Sequence, residues 1–411
     1  MPDFLSRRFA VNRRHFLRSS GLLAATLAAV PTAKLFADDK ITMPFANGER
    51  ALVKYPQKRP LIRVTARPPQ LETPMAVFNE GILTPNDAFF VRYHLADIPL
   101  SIDPDTFRME IKGSVDSPQS FSLADLKKME PVELVAVCQC SGNSRAFSQP
   151  RVGGGQLGNG AMGNAKWRGV RLKDVLAKAG IKATAKQVTF NGLDKGPVEK
   201  VPDYIKALDL DHANDGEVML AYEMNGEPLP ILNGFPLRLI VPGYFGTYWV
   251  KHVNEITVID EVLNNFWMNP AYRIPDNDCG FIEPGTTPAK TTPIKRYNVR
   301  SFITNLTDGQ KVKASEKVSL KGIAFDGGYG ITEVFYSTDG GKAWHSAELE
   351  KDIGKYSFRG WKTAPVELGA GKHELKVRAI NRVGETQPLD PLWNPAGYMR
   401  NVVETTRIQI V

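Results

Sequence analysis

The 411-residue chain holds only three cysteines and six scattered histidines. Three cysteines cannot build a disulfide framework, and the absence of His-Glu-x-x-His excludes a helix-borne zinc protease site. Cys138 and Cys140 stand one residue apart and Cys279 is remote. That spacing is neither the Cys-x-x-Cys of a zinc ribbon or thioredoxin-like site nor the Cys-x-x-Cys-His of covalent haem. No Gly-Lys-Ser/Thr follows the glycines of residues 153–163, so they are not a nucleotide P-loop. No stretch offers about 18 uninterrupted apolar residues; residues 229–250 come nearest and are broken by Pro230, Pro236, Arg238 and Pro242, so no membrane span is expected. Repeats and low-complexity tracts are also lacking.

What is present is an ordinary globular composition, 42% hydrophobic and 23% charged, which excludes disordered, collagen-like and coiled-coil chains. The length suits about two or three domains. The net charge of +8 is unevenly placed. Arg7, Arg8, Arg13, Arg14, Arg18 and Lys34 face Asp3 alone, so +5 of it lies in residues 1–37. The rest has no Lys/Arg stripe interleaved with aromatics, hence no nucleic-acid footprint.

Residues 12–18 read Asn-Arg-Arg-His-Phe-Leu-Arg, followed by an apolar run over 21–30 and then Ala37. A basic region, a short apolar region and a small residue make an export signal. The run is well short of the roughly 20 residues that span a bilayer. The paired arginines resemble a twin-arginine signal, which predicts cleavage after Ala37 and export of a folded, cofactor-loaded protein to the periplasm.

Residues 38–75, rich in Pro, Lys and Arg, read as an extended arm laid over the next domain. Residues 76–290 mix helices and strands. Helices are expected over 121–128, opened by Ser122, and over 172–179, ended by Gly180. Strands are expected over 188–190, 218–222 and 237–241. The glycine-rich stretch 153–163 suits loops lining a site. From residue 291 the texture changes: 299–303, 318–324, 331–337, 356–361, 374–380 and 405–411 alternate apolar and polar, with Asp326-Gly327-Gly328 and Asp339-Gly340-Gly341 among the turns. Short strands with glycine turns predict an antiparallel sandwich of immunoglobulin type over 291–411.

By residue type, Cys138 and Cys140 each read first as a buried structural thiol, with a soft-metal ligand as the alternative. Their context is Cys140-Ser-Gly-Asn-Ser-Arg145, then Asn159-Gly-Ala-Met-Gly-Asn-Ala-Lys-Trp-Arg-Gly-Val170. Around it, in order, stand Phe89-Phe-Val-Arg-Tyr-His-Leu95, Gly192-Leu-Asp194, Ala221-Tyr-Glu-Met-Asn-Gly226, Gly234-Phe-Pro-Leu-Arg238, Val241-Pro-Gly243, Trp249-Val-Lys251 and Ala271-Tyr-Arg-Ile-Pro275. Over about residues 75–411 this set resembles the sulfite oxidase family of molybdenum enzymes, and within it the haem-free catalytic subunits of bacterial periplasmic sulfite dehydrogenases.

The resemblance implies an α+β molybdopterin domain over 76–290 followed by an all-β, immunoglobulin-like dimerisation domain. It implies a molybdenum-molybdopterin cofactor and no haem in this chain. Cys140 would be the one protein ligand of the metal and Cys138 a bystander. Arg92 and Arg145 would form an anion pocket, since guanidinium forks match a small oxyanion. Tyr272 would donate a hydrogen bond at the reacting centre, with His94 in the same pocket. Cofactor contacts would come from Phe90, Val91, Arg92, Tyr93, His94, Asp194, Asn233, Arg238, Trp249, Val250 and Lys251. Arg238 and Lys251 suit the pterin phosphate, and Asp194 the amino-pterin edge. Two positions depart from the family: Asn233 stands where many members have His, and Leu157 where some have an aromatic residue. The implied activity is oxidation of sulfite to sulfate by oxygen-atom transfer. Without Cys-x-x-Cys-His or a cytochrome b5 segment, electrons would leave to a separate c-type cytochrome, and the enzyme would be a homodimer. Three alternatives stand beside it: a sulfane dehydrogenase subunit acting on carrier-bound sulfur, a sulfoxide reductase of the same superfamily, and a binding protein built on the C-terminal module.

Overall fold

The computed structural model describes residues 40–411 except Pro44. The leader expected over residues 1–37 lies outside the described residues.

Sheets dominate. Within the stretch 38–75, expected as an extended arm, residues 40–72 form the strands of a sheet. The strands Lys40–Thr42, Glu49–Val53, Leu61–Thr65 and Gln70–Glu72 pair in chain order, and Val91–Arg92 adds the fifth. The physical reason is a small apolar core in which Leu61 and Leu71 meet Val91, Tyr93 and Leu232. Its functional result is the register Gln70↔Arg92, which fixes Arg92 at the edge of the sheet.

Two further sheets make the next domain. One runs Lys206–Asp209, Gln187–Gly192, Val253–Ile259, Arg108–Gly113, Gln119–Ser122. The other runs Glu227–Pro228, Met219–Met224, Met162–Arg171, Val132–Gln139, with Arg238–Ile240 beside Met219–Met224. A shared core includes Trp167, Trp249, Phe190 and Leu220. Helices are short and few among the described residues: Leu123–Lys128, Leu172–Ala179 and Leu210–Ala213. The first is opened by a capping box, with the Asp125 amide donating to Ser122 Oγ (3.1 Å) and the Ser122 amide to Asp125 Oδ2 (3.1 Å). The second stops at Gly180, whose φ of +67° costs glycine nothing. The α+β expectation therefore overstated the helices: the core is built mainly by sheet layers, to which the short helices add side chains such as Leu126, Leu172 and Val175.

The strand Val132–Gln139 leads directly into Cys140. It pairs with Met162–Arg171 in the register Cys138↔Gly163 and Gln139↔Met162. The Cys140 amide then donates to the Ala161 carbonyl (2.9 Å). A Cβ on Gly163 would lie 2.5 Å from the Phe89 ring, so this close approach needs glycine.

The C-terminal residues form two more sheets. Arg300–Ile303, Lys321–Phe325, Arg359–Lys362 and Glu348–Leu349 make one. Gln310–Val312, Thr405–Ile410, Gly371–Asn381, Ile331–Ser337 and His345–Ser346 make the other. Leu320, Trp361, Val377 and Ile408 fill the core they share. Phe245 and Tyr272 pack with Tyr297, Phe302, Phe325 and Phe358, joining this part to the preceding domain. No helix of the described residues is long and apolar enough to cross a membrane.

Candidate active site

The loops at the strand ends converge on a narrow cleft with about 40 Å³ of free volume. Its wall holds Phe90, Arg92, Tyr93, His94, Cys138, Cys140, Ser141, Asp194, Tyr204, Arg238, Gly246, Thr247, Trp249, Val250, Lys251 and Tyr272. Segments distant in sequence thus meet: Arg92 from the N-terminal sheet, Cys140 beyond Val132–Gln139, Asp194 beyond Gln187–Gly192, and Lys251 before Val253–Ile259. Tyr272 enters from a left-handed backbone, φ +57°, just before Arg273–Pro275.

The electrostatics of the cleft favour an anion. Arg238 is buried and, among the described residues, has no carboxylate bonded to it. Its Nη1 donates to the Asn233 carbonyl (3.1 Å) and its Nη2 to Cys138 Sγ (3.4 Å), while Nε has no partner among the described residues. Its guanidinium carbon lies 5.3 Å from the Trp167 ring centre and 5.8 Å from that of Trp249. Lys251 Nζ donates to the Arg92 carbonyl (2.7 Å) and sits 3.6 Å from the Tyr93 ring centre. Burial, reinforced by nearby Arg238, pushes its pKa well below the usual lysine value. Buried cations left this poorly compensated call for an anionic partner. Among the described residues Asp194 is the one carboxylate on the wall, and burial raises it to about 6 against the pull of Lys251. A phosphate-bearing pterin fits this donor set, and the Cys140 thiol stands on the same wall for a soft metal.

At the other end of the wall, Tyr272 and His94 are joined by a hydrogen bond between the Tyr272 hydroxyl and His94 Nε2. Burial, then nearby Arg92, lowers the His94 pKa well below its usual value, so the ring is neutral. It stacks on Tyr204 with ring centres 3.7 Å apart. Burial raises the Tyr272 pKa, so its hydroxyl keeps a proton to donate. Burial also opposes the charge of Arg92, but Tyr272 and Cys140 beside it raise its pKa on balance. Behind the tyrosine lies Lys206, with Nζ donating to the Trp267 carbonyl (2.6 Å) and 5.0 Å from the Tyr272 ring centre.

Three expected residues are off the wall. The Val91 side chain points into the apolar cluster of the N-terminal sheet. Asn233 is a strut: its Oδ1 accepts from buried Lys58 Nζ, and its Nδ2 donates to the Phe90 carbonyl (3.0 Å). An amide suits that position because it donates and accepts at once. Arg145 is held behind the wall, with Nε donating to the Ala396 carbonyl (2.9 Å) and Nη1 to the Gly155 carbonyl (3.2 Å). Its guanidinium fills space that a Cβ on Gly142 or Gly154 would occupy, at 2.7 and 2.9 Å. Cys138, expected as a bystander, is part of the wall. Burial pushes its thiol to about 11, so it stays protonated against Arg238.

Sequence reasoning missed Tyr204, Thr247 and Lys206. Gly246-Thr247 stands one residue ahead of the Trp249-Val-Lys251 block, and that proximity was the available signal. Tyr204 carries no local signature; its hydroxyl reaches the Thr247 carbonyl (2.7 Å) only in three dimensions.

The family described as "Oxidoreductase molybdopterin binding domain" matches residues 95–267, and the "Mo-co oxidoreductase dimerisation domain" matches 291–410. Mitochondrial sulfite oxidase of Rattus norvegicus is 33% identical over 404 residues, covering 94% of this chain and 72% of the relative. Sulfite oxidase of Arabidopsis thaliana is 31% identical over 381 residues, covering 87% and 96%. The crystal structure of the sulfane dehydrogenase SoxCD from Paracoccus pantotrophus has the same fold, with a TM-score of 0.70 at 22% identity over 96% of both chains. A molybdopterin-binding domain, a dimerisation domain and near full-length similarity to sulfite oxidases lead to one assignment: the chain belongs to the sulfite oxidase family of molybdenum oxidoreductases.

Proposed function

We propose that this enzyme oxidises free sulfite to sulfate and passes the electrons to a c-type cytochrome. The observation that carries this reading is one cleft wall holding Cys140, Arg92 and Tyr272 beside the buried basic side chains Arg238 and Lys251, with Asp194 as the carboxylate among them. Cys140 would hold molybdenum, Arg238 and Lys251 the pterin phosphate, and Asp194 the amino-pterin edge. When bound, molybdenum on the pterin supplies oxygen-atom transfer and takes up two electrons. Arg92 binds a sulfite oxygen through charge-assisted hydrogen bonds. Tyr272 donates a hydrogen bond toward the reacting oxygen, and neutral His94 fixes the direction of that hydroxyl. The buried rings of Phe90, Tyr93 and Trp249 exclude water, which strengthens each of these contacts.

The sulfite oxidases of rat and Arabidopsis support sulfite as substrate. The shared fold with a sulfane dehydrogenase supports a second reading, oxidation of carrier-bound sulfur on the same scaffold. The remaining parts of the proposal are a homodimer formed through an immunoglobulin-type sandwich over 291–411, a chain without haem, and periplasmic export by the twin-arginine route.

The test is sulfite-dependent reduction of ferricyanide and of cytochrome c by purified, molybdenum-loaded protein, with Cys140→Ser as control. Turnover of free sulfite that the substitution abolishes is the expected result. Full molybdenum content without turnover rejects sulfite and moves the substrate to carrier-bound sulfur. A fully active Cys140→Ser variant removes Cys140 from the metal.

A further inference from the structure

The Arg145 guanidinium is buried, carries no ion pair among the described residues, and is absent from the cleft wall. The aromatic ring in contact with both Arg145 and the wall residue Tyr272 is Tyr398. Its ring is nearly parallel to that of Tyr272, with centres 5.4 Å apart and planes 14° apart. The Arg145 guanidinium carbon lies 4.9 Å from the Tyr398 ring centre. Burial raises the Tyr398 pKa, opposed by Arg145 and Arg92 and by the backbone amide of Tyr272, which faces the hydroxyl.

Tyr398 belongs to the C-terminal sheets' part of the chain and is held there by its own turn. Asn394 Oδ1 accepts from the Tyr398 amide (3.2 Å) and from the Ala396 amide (3.2 Å), while its Nδ2 donates to the Tyr398 carbonyl (2.8 Å). The same turn presents the Ala396 carbonyl to Arg145 Nε (2.9 Å). A Cβ on Gly397 would come within 3.0 Å of Arg145 Cγ, so the turn lies directly on the arginine. One short turn therefore sets the position of Arg145 and, through Tyr398, of the Tyr272 ring.

We propose that Tyr398 is a positioning and specificity-determining residue: it locks Tyr272 and Arg145 into one stack and so restricts the anion pocket to a small inorganic oxyanion. This rests on the reading of the cleft as an oxyanion site. Removing the ring would release Arg145 from its cation–π contact, unseat Tyr272 and open space for a bulkier anion. Removing only the hydroxyl would leave the stack in place.

The test uses the molybdenum-loaded enzyme with Tyr398→Ala and Tyr398→Phe, checked for metal content and circular dichroism. Calorimetry gives the dissociation constants of sulfate and of benzenesulfonate, alongside KM and kcat for sulfite. Wild type is expected to bind sulfate and exclude benzenesulfonate. Tyr398→Ala should weaken sulfate about tenfold or more, raise KM more than it lowers kcat, and admit benzenesulfonate. Tyr398→Phe should stay within about threefold of wild type. Unchanged sulfate affinity and unchanged selectivity in Tyr398→Ala overturn the proposal. If the alanine variant does not fold, a Tyr398→Phe protein with the lost selectivity overturns it, because the stack would be intact. A wild type that binds no sulfate also overturns it. A wild type that binds sulfate through Tyr398 but does not turn over sulfite keeps this inference and removes only the substrate assignment.

Discussion

Lys58, Glu72 and Lys206 are buried ionisable side chains without a bonded opposite charge among the described residues. Burial draws each toward neutrality near pH 7, lowering the two lysines and raising the glutamate. Glu72 accepts from the Gly158 amide (3.0 Å) and so anchors the glycine-rich loop beside Arg145. Its folded pKa of about 7 lies above the ordinary 4.5. The folded state therefore holds the proton more tightly between those values. The stability this brings is fully present below the lower value and is lost as pH rises through the upper one. The fall is on the order of 3 kcal/mol. Glu72→Gln should flatten it: denaturant unfolding at pH 8 should find the variant at least as stable as wild type, with that advantage gone at pH 4.5. Parallel profiles would refute the assignment. A second outcome belongs to Arg238. Arg238→Met should lower the molybdenum and pterin content of the purified protein with its circular dichroism unchanged; normal cofactor content would show that another group holds the phosphate. At this scale Cys140, Arg92 and Tyr272 were legible because each sits in a contiguous motif. Lys206 and Tyr398 were not, because what defines them is a ring or carbonyl far away in sequence.

Among elements, two of the three α-helices in the described residues were legible, since their ends are chemical: Ser122 caps one and Gly180 stops another, whereas Leu210–Ala213 was not expected. Ser122→Ala should cost about 1 kcal/mol in denaturant unfolding through loss of the capping box. The N-terminal sheet was not legible. Its strands bury little alternating surface, and only the contact of Leu61 and Leu71 with Val91 and Leu232 organises them. The strand that leads into Cys140 was equally hidden, because it lies between Met162–Arg171 and the C-terminal part and so lacks clean alternation. Glycine marks the tightest crossing in that layer. A Cβ on Gly169 would lie 1.9 Å from the Leu220 carbonyl oxygen. Gly169→Ala should therefore separate two core strands and destabilise by several kcal/mol, on the order of 3 or more. A loss below about 1 kcal/mol would show that the sheet yields easily.

For the whole molecule, the contact between the C-terminal part and the Cys140 loop matters most. Buried Arg300 donates from Nη2 to Ser144 Oγ (2.9 Å) and to Glu404 Oε1 (3.2 Å). Ser144 holds a left-handed backbone, φ +72°, four residues past the metal-ligand candidate. Glu404 is also bonded by Arg400, so Arg300→Met leaves the carboxylate partnered and should cost about 1–3 kcal/mol, mainly through the lost Ser144 contact. The variant should also lose molybdenum faster on dilution than wild type; equal retention would mean that the C-terminal part does not support the loop. Sedimentation of the loaded enzyme should give twice the monomer mass, in keeping with the dimerisation domain matched over 291–410.

Local chemistry determined the helix caps and the change of texture near residue 291, because neighbours in the chain carry them. The candidates Cys140, Arg92, Asp194, Arg238, Lys251 and Tyr272 came from contiguous motifs that resemble the sulfite oxidase family, and the structure brings them to one wall. Only the tertiary structure decided that Arg145 stands behind the wall, that Asn233 braces Phe90, and that Tyr398 stacks between segments more than a hundred residues apart in the chain. Those roles are created by burial and by approach across sheets, and neither has a counterpart in the order of residues.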